Sequence, residues 1–205
     1  MARTELAGWW ATIDKSNPMN IRREVEEFLP ILVEEYGNVA STVAADWYEE
    51  IYNERPRMSN LTNEERARAR ARWAIGGAFT GEMDKALGAL SIVGAELVRE
   101  FGRDTVMQSS RMNRRMFARV PAGPDPCAWC LMLASRGFAY HSESDAKPMT
   151  QSHYGTCNCE LVAYDGQVPD GYDPDSMYDK YQSVHESGDT DKDVAAKLRN
   201  KYDIH

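Results

Sequence analysis

Four cysteines fall within 33 residues of a 205-residue chain, and a histidine stands among them. Their order is Cys127-x2-Cys130, an interval of 22 residues, and then His153-x3-Cys157-x-Cys159. A Cys-x2-Cys pair lets two thiolates grip one tetrahedral ion from a single turn, and a second pair further along completes a four-ligand shell. Five side chains compete for four places. Cys127, Cys130 and His153 with either Cys157 or Cys159 make one zinc-binding set, and the four cysteines make another. Two other chemistries fit the same residues. Cys127 with Cys157 and Cys130 with Cys159 could form disulfides, or the cysteines could stay reduced and buried, as is common in a cytoplasmic protein. His141 is a weaker ligand candidate, and His185 and His205, in an acidic tail, are expected to face solvent.

Enzyme patterns that use such residues are incomplete here. Pro126-Cys127-x2-Cys130 matches half of the zinc deaminase signature, but the His-x-Glu half must come first, and the one match, His141-Ser142-Glu143, comes after. The chain has neither His-Glu-x2-His nor Gly-x-Ser-x-Gly. A redox Cys-x2-Cys needs a strand leading into it, and the proline-rich lead-in fits that poorly. A nucleophile and base, Cys127 or Cys130 with His141 or His153, could still meet in the fold. No complete catalytic constellation is legible, so enzymatic activity is not the expectation.

The elements that must position this cluster are mostly helical. From residue 21 to about 52, apolar residues recur at spacings of three and four, which predicts one long helix or two, with a kink or break near Pro30 or Gly37. Thr62 and Glu65 have the form of a capping box opening a second run, which Gly76, Gly77 and Gly81 then loosen. A third run spans about 82 to 117 with a Met-bearing apolar stripe expected to be core. Three prolines and a glycine in residues 120–126 end the helical part. Beyond them come a short helical candidate at 128–135, a polar loop at 142–156, a strand-like run at 159–164 and two short amphipathic helices, 175–181 and 191–201.

Charge is unevenly distributed. Lys and Arg number 24 against 32 Asp and Glu, a net charge of -8, and residues 141–205 hold 13 of the acids but only six bases. An acidic chain is a poor coat for duplex nucleic acid. Its bases are nevertheless bunched: Arg66, Arg68, Arg70 and Arg72 read first as a solvated helix face, while Arg111, Arg114, Arg115 and Arg119 offer a local basic surface. No apolar run approaches the 18 residues of a membrane span, and Met1-Ala2-Arg3-Thr4-Glu5 lacks the apolar core of a signal peptide, so a soluble protein made in a cytoplasm is expected.

Arg119-Val-Pro-Ala-Gly-Pro-Asp-Pro-Cys127-Ala-Trp-Cys130-Leu-Met-Leu-Ala-Ser-Arg-Gly137, followed by His153-x3-Cys157-Asn-Cys159 and Gly171-Tyr-Asp-Pro-Asp-Ser-Met-Tyr178, resembles the MuF-like minor capsid proteins of tailed bacteriophages, in the form found in phages of actinobacteria. The resemblance implies a structural protein of the portal vertex or inner capsid, acting in head assembly or DNA passage and present in several copies per virion. Portal protein or major capsid protein would be its partner, with packaged DNA reached through Arg111, Arg114, Arg115 and Arg119. Relatives are often labelled capsid maturation proteases, which makes cysteine-dependent cleavage the alternative, with a metal-stapled interaction module as the third reading. The expected fold is mainly α: long N-terminal helices in a bundle or antiparallel pair (1–119), a small Cys/His-rich α+β module (120–165) and an extended acidic C-terminal arm (166–205).

Overall fold

A computed structural model describes residues 1–61, 64–122, 126–140 and 159–204. Along them run α1 (Ala2–Thr12), α2 (Pro18–Tyr52), α3 (Glu64–Ala74) with a 3₁₀ turn at Ile75–Thr80, α4 (Met83–Met112), β1 (Phe117–Val120), α5 (Ala128–Ala134), β2 (Glu160–Ala163), α6 (Pro174–Gln182) and α7 (Asp191–Tyr202). The protein is mainly helical with a small α+β part, as its periodicity predicts. Two compact units divide the chain: Met1–Asp46 with Met58–Thr105, and Trp47–Arg57 with Val106–His205.

In the first unit, the helical period of α2 places Ile21, Val25, Leu29, Leu32 and Val33 in a core shared with Ala86, Leu90, Val93, Leu97 and Phe101 of α4. Each fully buried Leu, Ile or Val of this kind contributes roughly 1.5–3 kcal/mol. The N-terminal helix α1, which no motif announces, joins the core through Leu6 and Trp10. Trp9 stacks on Phe28 with ring centroids 4.1 Å apart, and Tyr36 donates a 2.6 Å hydrogen bond to Glu5.

Of the expected forms, α2 takes that of one long helix, running unbroken for 35 residues with Pro30 inside it. Pro30 cannot donate to the Glu26 carbonyl, but a single missing bond is tolerated where apolar residues on both sides, Leu29, Leu32 and Val33, are anchored in the core. Gly37 has a packing role instead. A Cβ at this position would lie 2.6 Å from the Phe101 ring, so the missing side chain is the seat into which Phe101 fits.

The arginines of α3 also differ from expectation. Instead of forming a solvated face, Arg66 grips Glu100 with both guanidinium nitrogens, one of them at 2.7 Å, and Arg70 bonds Glu96 at 2.8 Å. Glu96 and Glu100 are each 1% exposed. Arg68 pairs with Glu64 at 2.7 Å, and Arg72 lies 3.6 Å from Glu26. Ala67 and Ala71, between the arginines, and Ala74 beyond them are buried. Their small side chains let α3 approach closely enough for the charges to meet. Thr62, the expected capping residue of this helix, lies outside the described residues.

In the second unit, α4 ends at Met112, short of the predicted end at 117. Arg114 adopts a left-handed φ of 58°, which turns the chain into β1. This strand pairs antiparallel with β2 in the register Phe117↔Ala163, Ala118↔Val162, Arg119↔Leu161 and Val120↔Glu160. The acidic C-terminal segment is not extended: α6 and α7 fold back onto α5, burying Val194, Ala195 and Leu198 against Ala128, Leu131 and Met132. Thr190 and Asp193 form a capping box at the start of α7, and Lys197 bonds Glu186 and Asp189. No helix among the described residues is long and apolar enough to cross a membrane.

Gly37→Ala should destabilise the protein by roughly 1–3 kcal/mol through overpacking against Phe101. The cost should shrink when Phe101→Leu is combined with it. Urea denaturation midpoints of the single and double variants check this, and additive costs would show that the two residues do not meet.

Candidate functional site

The cysteine cluster is organised by α5, a helix of seven residues. Cys127 is its N-cap, with extended backbone angles (φ −64°, ψ 158°), and its Sγ accepts a 3.4 Å hydrogen bond from the Cys130 amide. The Cys127 and Cys130 sulfurs lie 3.1 Å apart, in contact but well beyond the ~2.05 Å of a covalent bond. Cys159 immediately precedes β2, so the sheet register fixes its position. It packs against Cys130, with Cys127 beside them. Cys130 and Cys159 are buried, and Cys127 is half-buried.

Three of the five predicted ligands are therefore brought together. His153 and Cys157 lie outside the described residues, as does His141. Among the described residues, no group of three or more His, Cys, Asp or Glu side chains is arranged to hold a metal ion. A complete four-ligand shell would thus draw on His153 or Cys157. His185, the one histidine among the described residues, stacks on Tyr181 of α6.

A seven-residue helix does not persist unaided, and the opposite end of α5 is closed as thoroughly as the first. Ser135 Oγ donates to the Met132 carbonyl at 2.9 Å, Tyr140 Oη to Leu133 at 3.1 Å and Tyr172 Oη to Ala134 at 2.5 Å. These are carbonyls that a helix C-terminus leaves without intrahelical partners. Tyr140 is itself held by the sheet, where Phe117 of β1 donates its amide to the Tyr140 carbonyl at 3.2 Å. The Gly171-Tyr-Asp-Pro motif thereby acquires a physical meaning. Gly171 turns with φ 79°, Tyr172 caps α5, Asp173 caps α6 by accepting from the Ser176 amide at 2.9 Å, and Pro174 occupies the first turn of α6.

The edge of β2 is pinned from elsewhere in the same unit. Tyr52 Oη donates to the Ala163 carbonyl at 2.8 Å, and Arg115 Nη1 donates to the Tyr164 carbonyl at 2.7 Å. Arg115 also bonds Glu54 at 2.8 Å and lies over the Tyr52 ring, 4.9 Å from its centroid. Two of the four arginines expected to form a basic surface are thus internal: Arg115 is engaged with Glu54, and Arg119 is 1% exposed. Arg114 is exposed and Arg111 partly so. Sequence reasoning missed Tyr52, Arg115 and Tyr140 as positioning residues, because each acts on a backbone carbonyl, which leaves no mark in a pattern of residue types.

Burial pushes the Tyr52 hydroxyl up to about 12, with Asp165 adding to the effect, and raises that of Tyr172 further, with Tyr140 contributing. An unfolded tyrosine loses its proton near pH 10, so above that pH the folded state holds more protons than the unfolded one, and stability falls as pH rises. Unfolding free energy should therefore decline between pH 10 and 12, and Tyr52→Phe should flatten that decline while lowering stability at pH 7 by about 1 kcal/mol. Denaturant titrations at pH 8, 10 and 11 provide the check; an unchanged slope in the variant would remove Tyr52 from this account.

A family model described as VG15 protein matches residues 1–184. No curated protein and no solved structure matches the chain. The match covers the helical first unit, the cysteine cluster, both strands and α6, the elements that build and close the site. On that extent, the chain belongs to the VG15 protein family, a phage-related family.

Proposed function

We propose that the protein is a structural minor capsid protein of a tailed phage, held at the portal vertex or the inner capsid surface, where it serves head assembly or DNA passage. The observation that carries this reading is the VG15 family match over residues 1–184. The MuF-like order of the three motifs supports it, because their described members, Cys127 and Cys130, Cys159, and Tyr172, all gather around α5. The character of the site points the same way: Cys130 and Cys159 are buried, and a buried thiol in apolar surroundings is a poor nucleophile. This counts against Cys130 and Cys159 as nucleophiles for capsid cleavage and leaves the half-buried Cys127 as the described cysteine on which that alternative would rest. Portal protein or major capsid protein is the partner in this reading. Any contact with packaged DNA would fall to the exposed Arg114 and the partly exposed Arg111, since Arg119 is buried and Arg115 is held by Glu54.

We further infer that Cys127 and Cys130, with two of His153, Cys157 and Cys159, hold a structural zinc. The gathering of three cysteines and the amide bond to the Cys127 sulfur support this, because backbone donors to thiolate sulfur orient metal ligands.

Two measurements test these proposals. Quantitative mass spectrometry of purified particles should find the protein at a fixed number of several copies per particle; its absence from particles while abundant in infected cells would exclude a virion role. Elemental analysis of protein purified under reducing conditions should find near one equivalent of zinc, lost in the Cys127→Ser, Cys130→Ser double variant. Metal-free protein with full stability would exclude the zinc.

A further inference from the structure

Within the first unit, α2 carries apolar residues on two opposite sides. One i,i+4 row, Leu29, Val33, Gly37, Ser41 and Ala45, is buried. Two residues on from each member of that row, and so about 160° to 200° around a helix of 3.6 residues per turn, runs a second row containing Ile31, Val39 and Val43. These are 64%, 56% and 62% exposed. All three are β-branched, a type that gains nothing from an exposed helix position, where Ala, Glu or Lys would favour the helix. Beside Ile31 the surface dips into a groove of about 550 Å³, with Pro30, Leu61 and Phe101 among its lining residues. An apolar row next to a groove is the form that accepts a ridge of side chains from another helix.

The charge around this row selects the occupant. Glu27, Glu34 and Glu64 line the groove, and Glu35 sits within the exposed row. The one base lining the groove, Arg68, is engaged by Glu64. A second copy of the chain docking through the same face would set these carboxylates against each other, which like-charge repulsion opposes. The complementary partner is a helix with a narrow apolar stripe flanked by Arg or Lys. The described residues show this chemistry internally, where α3 lays buried alanines on the core and pairs Arg66 and Arg70 with Glu100 and Glu96.

We propose that the outward row of α2, Ile31 to Val43, with the groove beside Ile31, is the docking face for a basic, apolar-striped helix of a different protein. The inference goes beyond the capsid reading and does not require it.

The test places a photo-crosslinking amino acid at position 39 of the full chain, with position 167, exposed in the second unit, as control, in phage-infected cells. Crosslinked peptides are then sequenced by mass spectrometry. The expected result is a crosslink from position 39, absent from position 167, to one segment of another protein whose Arg and Lys residues flank an apolar row at helical spacing. Its yield should fall about tenfold in the Glu34→Lys, Glu35→Lys background, while circular dichroism shows that this variant stays folded. A crosslink to a second copy of this chain, to an acidic segment, or to nothing beyond the control overturns the proposal. A qualifying partner that is a host protein absent from particles would uphold the docking face and count against the capsid role, so the two failures are distinguishable.

Discussion

Helix α5 cannot stand alone, and the second unit is arranged around that constraint. Seven residues make too few internal hydrogen bonds to offset the entropy of ordering them. Closure at both ends makes the helix possible. Cys127 caps the first turn, and Ser135, Tyr140 and Tyr172 supply donors to the last carbonyls. Each capping group is itself anchored: Tyr140 by the edge of β1, Tyr172 by the turn at Gly171, and Cys159, which completes the described cluster, by the register of β2. The cysteines, the small sheet and α6 are consequently one cooperative arrangement. A metal bound at the cysteine end would act on the fold as a whole, because binding free energy at such a site becomes folding free energy.

The first unit solves a different problem. Glu96 and Glu100 sit on α4 with 1% exposure, where an uncompensated carboxylate would cost several kcal/mol. Arg66 and Arg70 compensate them, and the intervening alanines of α3 set the required approach. Such pairs contribute little net stability beside well-packed apolar residues of similar volume, but they penalise every register of α3 that leaves a carboxylate unmatched. Together with the seat of Phe101 at Gly37, they fix how α2, α3 and α4 pack within the unit. The result suits a component that must present a fixed surface.

Much of this was legible in the sequence, and the failures have identifiable causes. Apolar spacing revealed α2, α3 and α4 because burial on one face leaves a period of 3.6, and the Cys-x2-Cys and strand-like segments fell on α5 and β2. Of the two expected forms, one long helix or two, α2 takes the first, because local propensity at Pro30 and Gly37 is outweighed by core packing on either side. The Arg-Ala alternation of α3 looked like a solvated face because its acids lie 26 and 34 residues away, beyond any local pattern. Strand β1 was hidden in the tail of a helical stripe, since a four-residue strand gives too short an alternation and the turn at Arg114 has no glycine to announce it. The C-terminal segment looked like an extended arm from its charge, whereas a few apolar residues, Val194, Ala195 and Leu198, suffice to dock α7 on α5. Of the candidate site, the residue types and their grouping were readable; the tyrosines and Arg115 that hold it were not, because their partners are backbone atoms.

A cysteine cluster in one unit and a packed helical core in the other, in a chain of the VG15 family, support the proposal that the protein's task is to occupy a place in the particle and hold a shape there. That account is most directly tested by imaging the portal vertex of intact particles by electron cryomicroscopy, without imposed icosahedral symmetry, at a resolution that shows helices. It predicts density at the vertex or on the adjoining inner capsid into which α2, the 35-residue helix, and α4, the 30-residue helix, can be placed. A vertex and inner capsid fully accounted for by other proteins would contradict it.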